Sequence, residues 1–515
     1  MPTQFDLSLD PSPIELDGFG LRLVAPGLLG SAQLFSQSGA GARDDPGPTD
    51  VLDQGIAEAG LERRHLLRIE APTPPASAGA GAGRRAGRIG VGEVELQVPV
   101  RANETSLVLY RDEAGVISLH YAQRAAADAQ RVAARSSGSA RSERFRIPLR
   151  NARAAPTGGG RGPVGGVFAK VLRVVIVKLL PDRVGAAAFR HVQQWERTHR
   201  RFEGFHGGSA AQLMAQVPTP VTDFGAVRRR PALLFLHGTT SSTAGAFARL
   251  ADTALLGRLY AAYEGNVIGF NHPTMSASVA DNVRAFFDAL APAAGRYTFD
   301  IVCHSRGGLL ARALTDLDDR FIAAATGSEW HRPPGVSLDV RRIVFVATPN
   351  AGTALAIPDN IPGFVERLVN VVNFLPDSVL TVAAGALMSV AASIAEVGLP
   401  RLPGLADQAP GSDLLQALRP APAAVDGYRA FEAAFKPQGG LVDALGNAAL
   451  DHLFDRDPND LVVPTDGVST TPHFRLGRDR VFRFAADDAV HHTNFFGHPA
   501  MAEIEGFLGL DRPAP

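Results

Sequence analysis

The sequence has a single cysteine, Cys303, among its 515 residues, so an intrachain disulfide is excluded. It also lacks any spacing of Cys and His that is typical of a structural zinc site. The formal net charge is −1, and this balance does not predict a nucleic-acid partner. The first residues show no basic stretch followed by an apolar one. We therefore expect no secretory signal and a cytoplasmic location.

The bulk composition predicts a globular protein of several domains. Hydrophobic residues make up 45% of the chain and charged residues 20%. A chain of this length exceeds one ordinary hydrophobic core, which favours two or three domains. Residues 151–163 are rich in glycine and arginine and predict a linker.

Residues 1–150 predict a β-rich accessory domain. Apolar and polar residues alternate over 93–100, as in a half-buried strand. Two further runs, 105–110 and 115–121, flank a short polar turn and predict a hairpin, and 144–149 predicts another strand. Stretches of low complexity predict disordered loops over 36–50, 72–87 and 124–142.

Residues 164–230 predict a helical connector. Within it, 167–180 is apolar except for Lys170, Arg173 and Lys178, which a helix would place on one side. Such an amphipathic helix packs against a neighbouring domain or lies on an anionic membrane surface. Peripheral membrane contact through 167–180 therefore stays open, but the run is too short to cross a bilayer.

Residues 231–510 predict an α/β domain. Four short apolar runs are separated by segments long enough for helices, a pattern that favours a doubly wound, mostly parallel sheet. These runs are 233–236, 267–270, 299–303 and 343–347.

The third run leads directly into Cys303-His304-Ser305-Arg306-Gly307, and a good helix start follows. Strand, sharp turn, serine and helix form the nucleophile elbow, with the motif G-x-S-x-G. Such a turn exposes the hydroxyl of Ser305 and offers the N–H of Arg306 to an oxyanion. Cys303 stands where the motif has its first glycine. A serine that only caps a helix is the alternative.

The first run ends in His237-Gly238-Thr239. The loop after this strand supplies the second oxyanion donor in proteins with such an elbow, which assigns the N–H of Thr239. For His237 we expect a structural role in holding the loop.

Three segments occur in an order that resembles bacterial lipases and GPI inositol-deacylase-like serine hydrolases of the α/β-hydrolase superfamily. They are 234–239, His304 to Gly308, and 346–353. The resemblance covers about 231–500. It implies an ester- or lipid-cleaving serine hydrolase that uses no cofactor and no metal.

In this fold the acid and then the base follow the serine along the chain. His492 lies after the predicted last strand and is the expected base, with His491 and then His498 as alternatives. The segment Asp460 to Pro464 resembles the acid loop of these hydrolases, which makes Asp460 the expected acid. Its alternatives are Asp455, Asp457 and Asp466.

Residues 354–430 predict a helical cap inserted after the fourth strand. No charged residue occurs from 379 to 395, which predicts an apolar helix. It could shield the site as a lid and line an acyl pocket, lie buried in the core, or span a membrane.

The sequence thus predicts a serine esterase or lipase that forms an acyl-enzyme on Ser305 with an ester or lipid-like substrate. An amide or thioester hydrolase is an alternative. So is a catalytically retired hydrolase that acts as an interaction module.

Overall fold

The computed structural model describes twelve segments of the chain, apart from isolated positions within them. They are 3–36, 51–70, 93–111, 117–123, 141–148, 169–178, 192–197, 203–214, 218–369, 387–394, 402–436 and 458–510. The predicted linker 151–163 and most of the predicted disordered loops lie outside the described residues.

In its described residues, the N-terminal region folds into antiparallel strands and one helix. The strands are β1 (Thr3–Leu7), β2 (Ile14–Glu15), β3 (Arg22–Val24), β4 (Gly30–Ser36), β5 (Glu62–Glu70), β6 (Glu93–Val100), β7 (Glu104–Arg111), β8 (Ile117–Tyr121), β9 (Arg141–Pro148) and β10 (Ala169–Lys178), and the helix is α1 (Val51–Glu58). A six-stranded sheet has the order β1-β4-β5-β10-β7-β8, and a four-stranded sheet has the order β2-β3-β6-β9. We call these two sheets the N-terminal sandwich.

Alternation along the strands builds the core of this sandwich. In β6, Val94, Leu96 and Val98 have no exposed surface, and they pack in one cluster with Val108 and Phe145. This is the side-chain period of a strand buried on one face. The predicted strand over 93–100 and the predicted hairpin of β7 with β8 are confirmed.

The outer face of the six-stranded sheet packs against the rest of the molecule. Leu107, Leu109, Ile117 and Leu119 belong to the same hydrophobic cluster as residues of the C-terminal sheet. The N–H of Leu119 donates to Oε2 of Glu366 at 3.2 Å. Since β8 is an edge strand, Glu366 satisfies a backbone donor that its own sheet leaves unpaired.

The predicted helix at 167–180 is wrong. Ala169–Lys178 is strand β10, which pairs with β5 on one side and β7 on the other. Four valines and one isoleucine fill this run, and β-branched side chains favour a strand over a helix. The argument for membrane contact through an amphipathic helix therefore no longer applies. Helical residues do occur at 192–197.

The C-terminal region is built on a seven-stranded sheet. Its strands are β11 (Gly204–Gly207), β12 (Ala232–Leu236), β13 (Val267–Asn271), β14 (Gly295–His304), β15 (Val336–Val346), β16 (Tyr428–Ala433) and β17 (Val481–Phe484). The order is β11-β13-β12-β14-β15-β16-β17, and only β11 is antiparallel to its neighbour. The predicted mostly parallel sheet is confirmed. It begins at β11, inside the predicted connector rather than at 231.

The central strands are apolar on both faces because both faces are covered. In β12, Leu234 and Leu236 join one hydrophobic cluster, whereas Leu233 and Phe235 join a second cluster on the opposite face. The covering helices, together with short helices in loops, are α2 (Ala210–Met214), α3 (Gly225–Arg229), α4 (Thr243–Ala251), α5 (Ala254–Ala262), α6 (Val279–Leu290), α7 (Gly307–Asp316), α8 (Asp319–Thr326), α9 (Pro403–Ala406), α10 (Asp413–Ala417), α11 (Pro422–Asp426), α12 (Asp466–Ser469) and α13 (Glu503–Phe507).

The insertion was predicted over 354–430, but β16 begins at Tyr428, so the insertion ends before that residue. We therefore call residues 354–427 the insertion. Its described residues between 387 and 394 are helical and buried, and they pack in the cluster that covers one face of the sheet. Among the described residues, no helix combines the length and the apolar character that a bilayer crossing requires.

Candidate active site

Ser305 stands between β14 and α7 in a left-handed backbone conformation, with φ of 53°. A side chain in this region is strained by roughly 1–3 kcal/mol and persists only where the surroundings enforce it. Here the N–H of Ser305 donates to the carbonyl of Val346 at 2.9 Å. The turn places the serine side chain at the carboxyl ends of the parallel strands.

Two glycines allow this turn to pack closely. A Cβ on Gly307 would lie 2.3 Å from the carbonyl oxygen of Leu236, and a Cβ on Gly238 would lie 2.6 Å from Cβ of Ser305. Any larger residue would push the two loops apart. Cys303, which replaces the first glycine of the motif, is fully buried and its thiol donates to the carbonyl of Val344 at 3.3 Å. Burial raises the pKa of this thiol.

A continuous hydrogen-bonded line runs from Ser305 through His492 to Asp460. Oγ of Ser305 lies 3.0 Å from Nε2 of His492, and Nδ1 of His492 lies 2.8 Å from Oδ2 of Asp460. A carboxylate only accepts, so Nδ1 carries the proton and Nε2 is the acceptor for the serine hydroxyl. All three side chains are buried.

The carboxylate of Asp460 is fixed by its own loop. Its Oδ1 accepts the N–H groups of Val462 and Val463 at 2.9 and 2.7 Å, and its backbone carbonyl accepts the N–H of His492 at 3.0 Å. Of the alternative acids, Asp466 contacts Arg483 instead. Asp455 and Asp457 lie outside the described residues.

The neighbouring histidines make other contacts. His491 packs edge-on against Phe435, and burial lowers its pKa to about 4. Nδ1 of His498 accepts the N–H of Ala500 at 3.2 Å. His304 donates from Nε2 to the carbonyl oxygen of His492 at 2.7 Å. Burial lowers the pKa of His304 to about 3, so this imidazole stays neutral and holds the backbone of His492.

The loop after β12 lies directly against the serine. A Cβ on Gly238 would be 3.2 Å from Oγ of Ser305, so the peptide that leads to Thr239 passes beside the hydroxyl. His237 accepts the N–H of His272 at Nε2 and stacks on its ring at 4.1 Å. Because Nε2 accepts, Nδ1 carries the proton, and it lies 3.1 Å from the carbonyl of Gly238.

Two side chains near this loop make contacts that were not predicted from the sequence. Nε2 of Gln408, from the insertion, donates to Oγ1 of Thr239 at 3.0 Å. The guanidinium of Arg306 is fully buried and donates to the carbonyls of Gly404 and Ala277 at 3.0 and 2.8 Å. The motif assigned only the backbone N–H of Arg306. No local pattern marks Gln408, since its contact depends on tertiary structure.

A third such residue, Glu196, is fully buried and accepts hydrogen bonds from residues 274–276. It lies before β11, in a segment for which the sequence predicts only a connector. Within the described part of the chain, no group of three or more His, Cys, Asp or Glu side chains could hold a metal ion.

A family model described as a domain of unknown function, DUF7379, matches residues 206–509, more than half of the chain. The chain belongs to this family. The DUF7379 match begins within β11 and ends after α13, so it contains the whole parallel sheet, Ser305, Asp460 and His492. The N-terminal sandwich and Glu196 lie outside it.

Among solved structures, the chain is distantly similar to several proteins, of which three follow. EstA from Clostridium botulinum is 13% identical, with 65% of this chain and 100% of that chain covered and a TM-score of 0.37. Lipase 1 from Pelosinus fermentans is 15% identical, with 56% and 100% covered and a TM-score of 0.36. Phospholipase PlaB from Legionella pneumophila is 14% identical, with 46% and 45% covered and a TM-score of 0.29. No curated protein matches the sequence.

Proposed function

We propose that the DUF7379 domain is a serine hydrolase that cleaves carboxylic esters through an acyl-enzyme on Ser305. The observation that carries the proposal is the line of hydrogen bonds from Ser305 through His492 to Asp460, behind a serine with left-handed backbone. A helix-capping serine needs neither the imidazole nor the carboxylate.

The geometry supports the following sequence of proton transfers. Nε2 of His492 takes the proton of the Ser305 hydroxyl as Oγ attacks the carbonyl carbon of the ester. The carbonyl electrons move onto oxygen, and the N–H groups of Thr239 and Arg306 stabilise that oxyanion. When the carbonyl re-forms, the alcohol leaves with the proton of His492. Asp460 remains ionised and holds Nδ1–H throughout.

Hydrolysis of the acyl-enzyme repeats these steps with water. His492 removes a proton from water, the hydroxide oxygen attacks the acyl carbon, and Oγ of Ser305 leaves and takes the proton back. His304 contributes by holding the backbone of His492, because its neutral ring donates to that carbonyl. The same groups could act on an amide or a thioester, which comparison of matched ester, anilide and thioester substrates would reveal.

The insertion supports a substrate with a hydrophobic acyl chain. Its described residues between 387 and 394 are apolar and buried, and Gln408 within it contacts Thr239 beside the nucleophile. We propose that it forms a cap over the site and that the N-terminal sandwich supports this cap through the contact of Leu119 with Glu366. An apolar cap favours long acyl chains because it removes them from water.

Labelling with a fluorophosphonate probe tests the chemistry. The wild-type protein should be labelled and Ser305→Ala should not, whereas a retired hydrolase would leave both unlabelled. The acyl preference is tested with p-nitrophenyl esters: kcat/KM should be higher for the octanoate than for the acetate. A preference for acetate would contradict the acyl pocket without contradicting the serine mechanism.

A further inference from the structure

The carboxylate of Glu196 accepts hydrogen bonds from three backbone N–H groups and two hydroxyls. The N–H groups of Thr274, Met275 and Ser276 donate to it at 2.7, 3.0 and 2.8 Å. The hydroxyl of Thr274 donates at 3.2 Å, and the hydroxyl of Ser276 donates as well. Glu196 has no exposed surface. An ionised carboxylate suits this position because it accepts at both oxygens and donates at neither.

This hydrogen-bonded group is connected to the loop beside Ser305. Oγ1 of Thr274 donates its proton to Glu196, and the same oxygen accepts the N–H of Thr240 at 3.0 Å. Thr240 has φ of 56°, which a threonine adopts only under external support. Its N–H belongs to the peptide that directly follows Thr239. Glu196 and Thr274 therefore fix the backbone on one side of the proposed oxyanion donor.

Two other contacts hold the same short loop, residues 274–277. The guanidinium of Arg306 donates to the carbonyl of Ala277, and the N–H of Gly404 donates to the carbonyl of Met275 at 3.1 Å. Arg306, which follows Ser305, and Gly404 of the insertion therefore both contact this loop. Glu196 accepts the hydrogen bonds of the N–H groups in this loop. Without its carboxylate, these three buried N–H groups would lose their acceptor.

We propose that Glu196 is a positioning residue for the oxyanion hole, acting through Thr274 and Thr240 on the N–H of Thr239. This inference rests on the proposed serine-hydrolase function. An oxyanion forms only in the transition state and the tetrahedral intermediate. Misplacing one of its donors therefore slows the chemical step and leaves substrate binding largely unchanged.

Glu196→Gln is the most informative variant because it keeps the size of the side chain. Its amide has one acceptor oxygen, and its NH₂ group faces N–H groups that need an acceptor. We expect kcat for p-nitrophenyl butyrate to fall about 10- to 100-fold, less than the loss that follows complete removal of an oxyanion donor. KM should stay within about twofold, and fluorophosphonate labelling should slow by the same factor as kcat.

Variants of Thr274 test the route. Thr274→Val removes the hydroxyl at constant shape and should lower kcat as Glu196→Gln does, whereas Thr274→Ser should retain most of the activity. The double variant Glu196→Gln/Thr274→Val should be no slower than about the slower single variant, since both act through one hydrogen bond. If the kcat losses of the two single variants multiplied in the double variant, the proposed route through Thr274 would be overturned.

Glu143→Gln provides a matched control. Glu143 also accepts from a threonine–serine pair, with the hydroxyl of Thr105 and the N–H and hydroxyl of Ser106 each at 2.7 Å. It lies in the N-terminal sandwich, far along the chain from the site. This variant should lower the free energy of unfolding and leave kcat of the folded protein unchanged. A purely structural role of Glu196 would give the same pattern.

The outcomes separate the two proposals. If wild-type protein is labelled and Glu196→Gln is labelled equally fast, the role of Glu196 is overturned and the serine mechanism stands. If wild-type protein is not labelled, both fall together. Hydrogen exchange gives a readout independent of turnover: the amide of Thr240 should exchange at least about tenfold faster in folded Glu196→Gln, and an unchanged rate would overturn the proposal.

Discussion

The four-stranded sheet of the N-terminal sandwich and the C-terminal sheet differ in burial and in strand direction, and the strand direction explains where the candidate site lies. In the four-stranded sheet, strands such as β6 alternate between a core face and a polar face. In the C-terminal sheet, strands such as β12 are buried on both faces. Parallel strands end together at one edge, so loops that are distant along the chain meet there.

Ser305, Asp460 and His492 show this convergence. They follow β14, β16 and β17 respectively, and the buried sheet fixes the strand ends that carry them. The antiparallel sandwich instead contacts the insertion through Leu119. The comparison predicts that substitutions in the C-terminal loops change turnover, whereas substitutions in the sandwich change stability.

The largest expected effect separates two adjacent histidines in the C-terminal loop. His492→Ala should lower kcat by about 10⁶-fold, because His492 is the proposed base and its loss removes the activation of the serine. His491→Ala should lower it by less than about tenfold, since His491 packs on Phe435 and does not contact Ser305 in the described hydrogen bonds. Steady-state ester hydrolysis measures both. Equal losses in the two variants would remove the distinction between them.

The second largest expected effect is a loss of stability from a substitution in the core of the N-terminal sandwich. Phe145 is fully buried in its core, so Phe145→Ala should lower the free energy of unfolding by about 3–5 kcal/mol. Urea unfolding measures this loss, and active-site titration gives turnover per folded molecule. That turnover should stay within about twofold of wild type. A large drop in kcat of the folded variant would mean that the sandwich contributes to the chemistry.

The periodicity of apolar residues predicted some strands of the two regions correctly and missed others. The alternation over 93–100 fixed a strand and its face, and continuous apolar runs predicted the central parallel strands. The prediction of a helix over 167–180 was wrong. It relied on the spacing of the basic residues, although the β-branched residues favour a strand. β11 was missed because four residues in an antiparallel edge strand leave little pattern to read.

The residues of the candidate site divide in the same way. Ser305, Arg306, Thr239, Asp460 and His492 were predicted because the elbow and the chain order of the motifs mark them. Glu196 and Gln408 were not, because their contacts join segments that are distant in sequence. The local sequence does not distinguish Glu196 from an exposed helical residue. Its burial against residues 274–276 depends on the tertiary structure.

An effect of intermediate size depends on pH. Burial lowers the pKa of His491 from 6.5 to about 4, so the unfolded chain takes up a proton between these values while the folded protein does not. Stability from this group is present above pH 6.5 and is lost as the pH falls towards 4, by about 3 kcal/mol in total. Unfolding of wild type and His491→Asn in urea at pH 7 and 4.5 should show a smaller pH dependence in the variant. Equal pH dependence would contradict a neutral, buried His491.

The smallest expected effect lies at the junction between the two regions. Glu366→Ala removes the acceptor for the N–H of Leu119 on the edge strand β8, and we expect a cost of about 1–2 kcal/mol in the free energy of unfolding. Glu366→Gln keeps an acceptor oxygen and should cost less. If the sandwich supports the cap, Glu366→Ala should also raise KM for the octanoate ester more than KM for the acetate, because the insertion is proposed to contact only the longer chain. Equal changes in the two KM values would show that the sandwich stabilises the protein without acting on acyl-chain binding.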